Sequence, residues 1–401
     1  MADNIKKLKF QRIPPPSGGN KFFDWREQGS RDEYIKFGED NLFPQTTIDI
    51  YNKSSIHAAA VNAIVQGILG QGLTANEEIY LERANSSGET WNDIFAKVSL
   101  DYKLHGSFAL EVIWSNDRTR AEFHHVDFSY LRAKEKDYRG KIPGYYISSK
   151  WDKIGRSRTV VTEDEATYIP SFDISKKVEE PHQLYVHQNY RPGQRYYPLP
   201  DYVGAYRVIE LDTEIDNFHT NNIRNGLAPS LSITTFTNGS DDQLRDIQAQ
   251  LNASYAGSEN AGSLMYIDVD SPENAPQIIP IPQNGADGYY VAINDMVMQK
   301  ILTAHRITSP MILGIKEAGQ LGGRAEMIDA YLLFQNNVIV PYQQDILSSL
   351  EFLIQLNYPD AVLGVEQRQL LNDGTTEEEV VVDADTTDQE EADIQQPELI
   401  A

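Results

Sequence analysis

The sequence predicts an α+β chain in which two long helices bracket a small α/β insert. Three observations predict it. Helical periodicity over 201–224 and again over 290–306 encloses a mixed segment, 227–288. Over residues 107–190 the apolar pattern switches to period two, the mark of a β-rich subdomain. After Ile307-Thr-Ser-Pro-Met-Ile-Leu-Gly314 comes a glycine-rich segment, Lys316-Glu-Ala-Gly-Gln-Leu-Gly-Gly323, and then a helix starting near Arg324. Rod, loop, rod is an arrangement that places a loop; it does not activate a nucleophile.

Residues 1–50 read as an irregular arm whose aromatics, Phe22, Phe23, Trp25, Tyr34 and Phe37, pack on a neighbour or on the body. Ser54 caps a helix carrying Ile56, Ala60, Ile64 and Ile68, stopped by Gly70 and Gly72. A second helix runs from Thr90 to Gly106, with Trp91, Ile94, Phe95, Val98 and Tyr102 on one face. Phe108–Trp114 and Arg120–Val126 form a hairpin, and Tyr145–Ser149, Thr167–Phe172 and Leu184–His187 are three further short strands. Pro198-Leu-Pro200 ends this region. A helix over 201–224 carries a stripe of Val208, Leu211, Ile215 and Phe218, with Glu210, Asp212, Glu214 and Asp216 mostly off it, and Asn225-Gly226 stops it. Within the insert the pattern gives a strand at Ser230–Thr235, a helix at Asp241–Tyr255, a turn at Gly257–Gly262, a strand at Ser263–Val269 and an extended run from Pro272 to Pro282. Tyr290–Arg306 is the next helix. The last runs from Arg324 to about Asn357, and Pro341 must kink or break it.

Composition narrows the function. The 401 residues carry a net charge of −24 and no cysteine, so disulfides and thiolate metal sites are excluded. Ten acids fall between Glu377 and Glu398 with no Lys or Arg after Arg368, which marks a charged, disordered tail over 377–401. About −14 remains on the rest, and no cluster of Lys and Arg could grip DNA phosphates. An acidic soluble protein and a protein that must not adhere to nucleic acid both fit. No apolar run resembles a signal peptide or reaches the roughly 18 residues of a membrane span, so no membrane partner is expected.

Catalytic motifs are missing. GxxxxGK[ST], GxGxxG and HExxH do not occur. His124 and His125 are neighbours on a strand and point to opposite faces, as do His182 and His187. Asp268-Val-Asp270 with Glu273 is a solvated turn, since Pro272 and the missing glycine spoil a calcium loop. No metal, cofactor or catalytic residue is therefore expected. Acids are too numerous for counting to exclude a general acid–base pair.

The order of these segments resembles the portal proteins of tailed double-stranded-DNA bacteriophages, over roughly residues 44–356. Asn221-Asn-Ile-Arg-Asn-Gly-Leu-Ala-Pro229 is similar to that family's N-x-x-x-N-G-x-x-P exit from the first stem helix, and Gly257–Gly262 with the following strand to its turn after the clip helix. Ile307–Gly314 resembles its V-P-P-x-L-L-G segment, and Arg324-Ala-Glu326 opens a helix as its S-N-x-E does. Pro44 to Leu73 is similar to the helix that opens the wing. Two departures stand out: Arg195-Tyr-Tyr-Pro-Leu-Pro200 lacks the glycine of Gly-x-Ser-Pro-Leu, and Ser309-Pro310 shifts the second proline.

The resemblance implies a portal fold: an arm over 1–43, a wing over 44–200 that includes the β-rich subdomain, stem helices over 201–225 and 289–308, a clip over 226–288, a tunnel loop over 309–325, and a wing and crown helix over 326–376. It implies a homo-oligomeric ring of about twelve copies at one capsid vertex, a DNA channel for packaging and ejection, and docking of the terminase large subunit, the major capsid protein and a head-completion or adaptor protein. The chain would reside in the virion, and in the host cytoplasm during assembly. DNA contacts would fall on Lys316, Gly319, Gln320, Gly322, Gly323 and Arg324, with Glu210, Glu214 and Asp295 as candidate channel-lining residues. A head–tail adaptor and an acidic carboxylate hydrolase are the alternatives.

Overall fold

A computed structural model describes residues 25–29, 34–154, 165–224, 232–235, 265–268, 286–307, 309–313 and 324–368. The N-terminal part is more regular than expected. β1 (Glu27–Gly29) and β2 (Ile35–Phe37) pair antiparallel, and α1 (Phe43–Lys53) follows directly. The predicted irregularity up to residue 50 is therefore corrected. Pro44 and the β-branched Thr46, Thr47 and Ile48 weaken the local helical signal. Pro44 nevertheless sits in the first turn, where no donor is lost, and Phe43, Thr47 and Ile50 give α1 a buried face. Tyr34 and Phe37 pack inward as expected, whereas Trp25 is exposed.

α2 (Ser55–Leu69) begins as read: Ser54 Oγ accepts from the His57 amide at 3.1 Å. Its end involves distant chain. Gly70 has φ of 54°, and a Cβ there would lie 2.2 Å from the Glu366 carbonyl oxygen. That close approach belongs to β12 (Leu363–Glu366), which pairs with β3 (Gly72–Ala75). α3 (Trp91–His105) opens on a capping box, Thr90 Oγ1 accepting from the Asp93 amide and Asp93 Oδ2 from the Thr90 amide. It closes on the left-handed Gly106.

The β-rich region resolves into two three-stranded antiparallel sheets. β4 (Ser107–Trp114) lies between β5 (Ala121–Val126) and β9 (His182–Gln188). β7 (Gly144–Ile147) lies between β6 (Leu131–Ala133) and β8 (Thr167–Pro170). The three-residue β6 and the one-turn α4 (Trp151–Ile154) were too short for a periodic signal.

α5 (Tyr206–Arg224) starts after a 3-10 turn at Val203–Ala205, five residues later than predicted. Its stripe is also corrected. Tyr202, Tyr206, Ile209 and Asp212 are buried, Val208 and Ile215 only partly, and Leu211 is 41% exposed. The inward face is chosen by what packs there, α1 and α6 (Ala286–Ala304), and burial of Asp212 is possible because Ser54 Oγ donates to it at 2.7 Å.

In the insert, β10 (Ser232–Thr235) and β11 (Met265–Asp268) pair parallel. The predicted helix at 241–255, the turn at 257–262 and the proline run lie outside the described residues, as does the acidic tail over 377–401. α7 (Arg324–Phe334) and α8 (Val340–Gln355) form one path joined by a π-helical turn, Gln335–Ile339. Pro341 is accommodated by that widened turn, which relieves the missing N–H without breaking the rod.

Two adjoining cores hold these elements. One contains Ile64, Phe95, Phe108, Val112, Ile339 and Leu350 from α2, α3, β4, the π turn and α8. The other contains Phe37, Phe43, Phe128, Tyr206, Val297 and Ile301, so α5 and α6 are anchored on α1 and the second sheet.

Candidate functional site

The rod–loop–rod segment is built from the end of α6. Arg306 reverses the chain with φ of 58°, the Ile307 amide donates to the Leu302 carbonyl at 2.9 Å, and a short turn at Pro310–Leu313 follows. Lys316, Gly319, Gln320, Gly322 and Gly323 lie outside the described residues. Arg324 is the first residue of α7, and its side chain is likewise outside the description. Of the candidate lining residues, Glu210 and Glu214 stand one turn apart on α5, Glu210 half-buried and Glu214 exposed, and Asp295 is exposed on the neighbouring α6. Burial first and then the Glu214 charge push the Glu210 carboxyl upward, against the opposing pull of Arg207.

Beneath the α6 terminus lies a charged junction that no local motif announced. Lys103, whose side chain is wholly buried, donates from Nζ to Asp201 Oδ1 at 2.8 Å and to the Tyr342 hydroxyl at 3.1 Å. Arg306 Nη2 reaches Asp201 Oδ2 at 3.1 Å and the Tyr342 hydroxyl at 3.0 Å, and Tyr342 also bonds Asp201. Burial lowers the Lys103 ammonium, with Asp201 resisting. Burial works to raise the Asp201 carboxyl, but the Lys103 charge and the donors around it prevail and hold it at about 2. Through these contacts one carboxylate ties α3, the start of the α5 segment, the end of α6 and α8 together.

Next to it, His57 Nδ1 and His305 Nε2 are 2.9 Å apart, with Tyr202 packed on both rings. Burial first, then the Lys103 charge, lowers His57 to about 3, and the same causes hold His305 well below its ordinary value. Both imidazoles are neutral near pH 7, so one donates and the other accepts. The sequence could not signal these residues, since positions 57, 103, 201, 305 and 342 share no spacing and meet only through tertiary packing.

The acids bear on the hydrolase alternative. Asp101 and Asp127 converge with His105. Neither lines the open cleft of about 650 Å3 formed by Arg83, Ile113, Trp114, Arg120, Glu122 and Tyr358. His125 turns to Asp101 at 2.9 Å while His124 turns to Glu122 at 3.6 Å, the divergence expected of strand neighbours. No helix among the described residues is long and apolar enough to cross a membrane.

No protein-family profile matches the chain, and no curated protein matches it by sequence. Its fold does have counterparts. A chain in the virion of the native gene transfer agent particle superposes with a TM-score of 0.53 at 15% identity, covering 81% of this chain and 84% of that one. A chain in the neck of the native particle, computed with C12 symmetry, gives 0.51 at 14% identity and covers 85% of each. An HK97-family phage portal protein from Corynebacterium diphtheriae superposes more loosely, at 0.42 and 10% identity, over 79% of this chain and 93% of that one. A mixed helix-and-sheet fold is what this chain shares with a chain from the neck of the gene transfer agent particle.

Proposed function

We propose that the chain is a portal protein, a ring-forming virion component that conducts double-stranded DNA at one capsid vertex. The observation that carries this reading is the fold shared with a neck chain in an assembly computed with C12 symmetry. The portal-like order of segments over roughly residues 44–356 supports it further. On this reading about twelve copies close a ring. The 201–225 and 289–308 helices are its stem, 226–288 is the clip that meets the terminase large subunit and later the head-completion or adaptor protein, and 44–200 forms most of the wing against the major capsid protein.

Charge gives the arrangement a purpose. DNA must slide without adhering, and a chain of net charge −24 repels the duplex. Lys316 and Gln320, with Arg324, would meet phosphates once per subunit as weak contacts, screened over about 10 Å at 0.1 M salt. Such contacts damp motion without trapping the strand. Glu210, Glu214 and Asp295 keep their assignment as lining candidates.

Deleting residues 317–323 tests the loop: ring assembly should survive by native mass spectrometry while DNA packaging or retention falls. Loss of assembly would make the loop structural and overturn its DNA role. A head–tail adaptor is the nearest alternative, and terminase binding by the isolated ring separates the two. Against the hydrolase alternative, neither Asp101 nor Asp127 lines the cleft formed by Arg83, Ile113, Trp114, Arg120, Glu122 and Tyr358.

A further inference from the structure

We propose that Asp101, His105 and Asp127 form a divalent-metal site suited to Zn2+. One ligand atom from each of the three lies within 4.8 Å of the others. Asp101 and His105 are one turn apart on α3, so they share a face, and Asp127 arrives from the turn after β5. The site is independent of the portal reading.

Three features separate the group from an ordinary acidic patch. Asp101 and His105 are 8% and 4% exposed and Asp127 is half-buried, so one carboxylate and an imidazole are withdrawn from water beside a second carboxylate. His105 Nε2 is buried with no hydrogen-bond partner among the described residues, an arrangement that costs stability unless something else binds the ring. Each carboxylate has one oxygen held and one uncommitted. Asp101 Oδ2 accepts from the Phe128 amide at 3.1 Å and faces His125 Nε2 at 2.9 Å, and Asp127 Oδ1 accepts from the Ser129 amide at 2.8 Å. Among the described residues nothing donates to Asp101 Oδ1 or Asp127 Oδ2.

This is a ligand set with its supporting shell in place. A carboxylate oriented by a histidine and a backbone amide is fixed in direction before any metal arrives. Burial lowers the His105 imidazole, with Asp101 and Asp127 opposing and Arg132 assisting. One nitrogen and two carboxylate oxygens suit Zn2+ at roughly 2.0–2.2 Å and leave a fourth position for water. The two negative charges exceed the single opposing charge of Arg132, so a divalent cation relieves their repulsion. The group escaped sequence reading because Asp-x-x-x-His at 101–105 is a weak pattern without its third member at 127.

The full chain, dialysed against EDTA and then titrated with ZnCl2 by calorimetry, should bind one Zn2+ per chain and melt at a higher temperature when loaded. Asp127→Asn keeps the Ser129 contact through the amide oxygen, and should lose about a hundredfold or more in affinity and the melting shift. X-ray absorption at the zinc edge of the loaded wild type should show a single imidazole among oxygen donors, a readout that does not depend on how any variant folds. Absence of zinc binding, unchanged affinity in Asp127→Asn, or two or more imidazoles at the edge would each overturn the site.

Discussion

Replacing Asp201 with alanine strands Lys103, and the size of the effect follows from the burial. The Lys103 side chain is wholly buried, and its acceptors are Asp201 and the Tyr342 hydroxyl. Breaking a buried pair by removing one partner costs about 3–5 kcal/mol, because the remaining charge is left without compensation. The lower end applies here. Asp201 is one-third exposed, so water can enter the vacated space, and Tyr342 still accepts from Nζ at 3.1 Å. Arg306 loses the same carboxylate, but its side chain is half exposed and rehydrates at little cost. The expectation is a loss of about 3 kcal/mol, roughly a hundredfold in the ratio of folded to unfolded chain. Urea unfolding followed by fluorescence of the buried Trp91, Trp114 and Trp151 reads it. Lys103→Met in the Asp201→Ala background removes the stranded charge and should recover most of the loss. A single variant within about 0.5 kcal/mol of wild type, or a double variant no better than Asp201→Ala, would refute the coupling assigned to this junction.

Acid should loosen the same region. His57 is held at about 3 when folded, against an ordinary value of 6.5. Below pH 6.5 the unfolded chain takes up protons that the folded chain refuses, so stability falls as pH drops from 6.5 toward 3, by up to about 1.4 kcal/mol per pH unit for this group. His57→Gln should flatten the dependence between pH 6.5 and 5, and an unchanged slope counts against the buried pair. Gly106→Ala adds a Cβ at φ of 74° and 2.8 Å from the Leu199 carbonyl oxygen, so it should cost about 2 kcal/mol in urea unfolding. An effect below 0.5 kcal/mol would show that the turn is not as tight as described. Thr90→Ala removes the capping hydroxyl of α3 and should cost about 1 kcal/mol by the same assay, with Thr90→Ser close to wild type.

Much of the framework was legible locally because its signals are local. Ser54, Thr90 and Gly106 mark helix ends by chemistry that needs only neighbouring residues, and the alternation in 107–126 declares a hairpin by itself. What was misread depends on distant partners. β3 becomes a strand because β12 returns some 290 positions later. The inward face of α5 is set by α1 and α6, so Ile209 and Asp212 are buried while Leu211 is left outside. Pro341 signalled an interruption correctly, but whether a helix breaks or widens depends on the packing of Val338, Ile339 and Tyr342 around it. The charged junction was invisible for the same reason, being assembled from elements far apart in the chain; the Asp101–His105–Asp127 group is closer in sequence, but it needs the turn after β5 to bring Asp127 back to α3.

The central claim is that this chain closes a ring around a channel. Two-dimensional class averages of the purified full-length protein, viewed down the particle axis, test it most directly. The account predicts an annulus of about twelve subunits with a central opening wide enough for a DNA duplex, roughly 20 Å or more across. A monomer persisting at high concentration, or a closed particle without an axial opening, would contradict it.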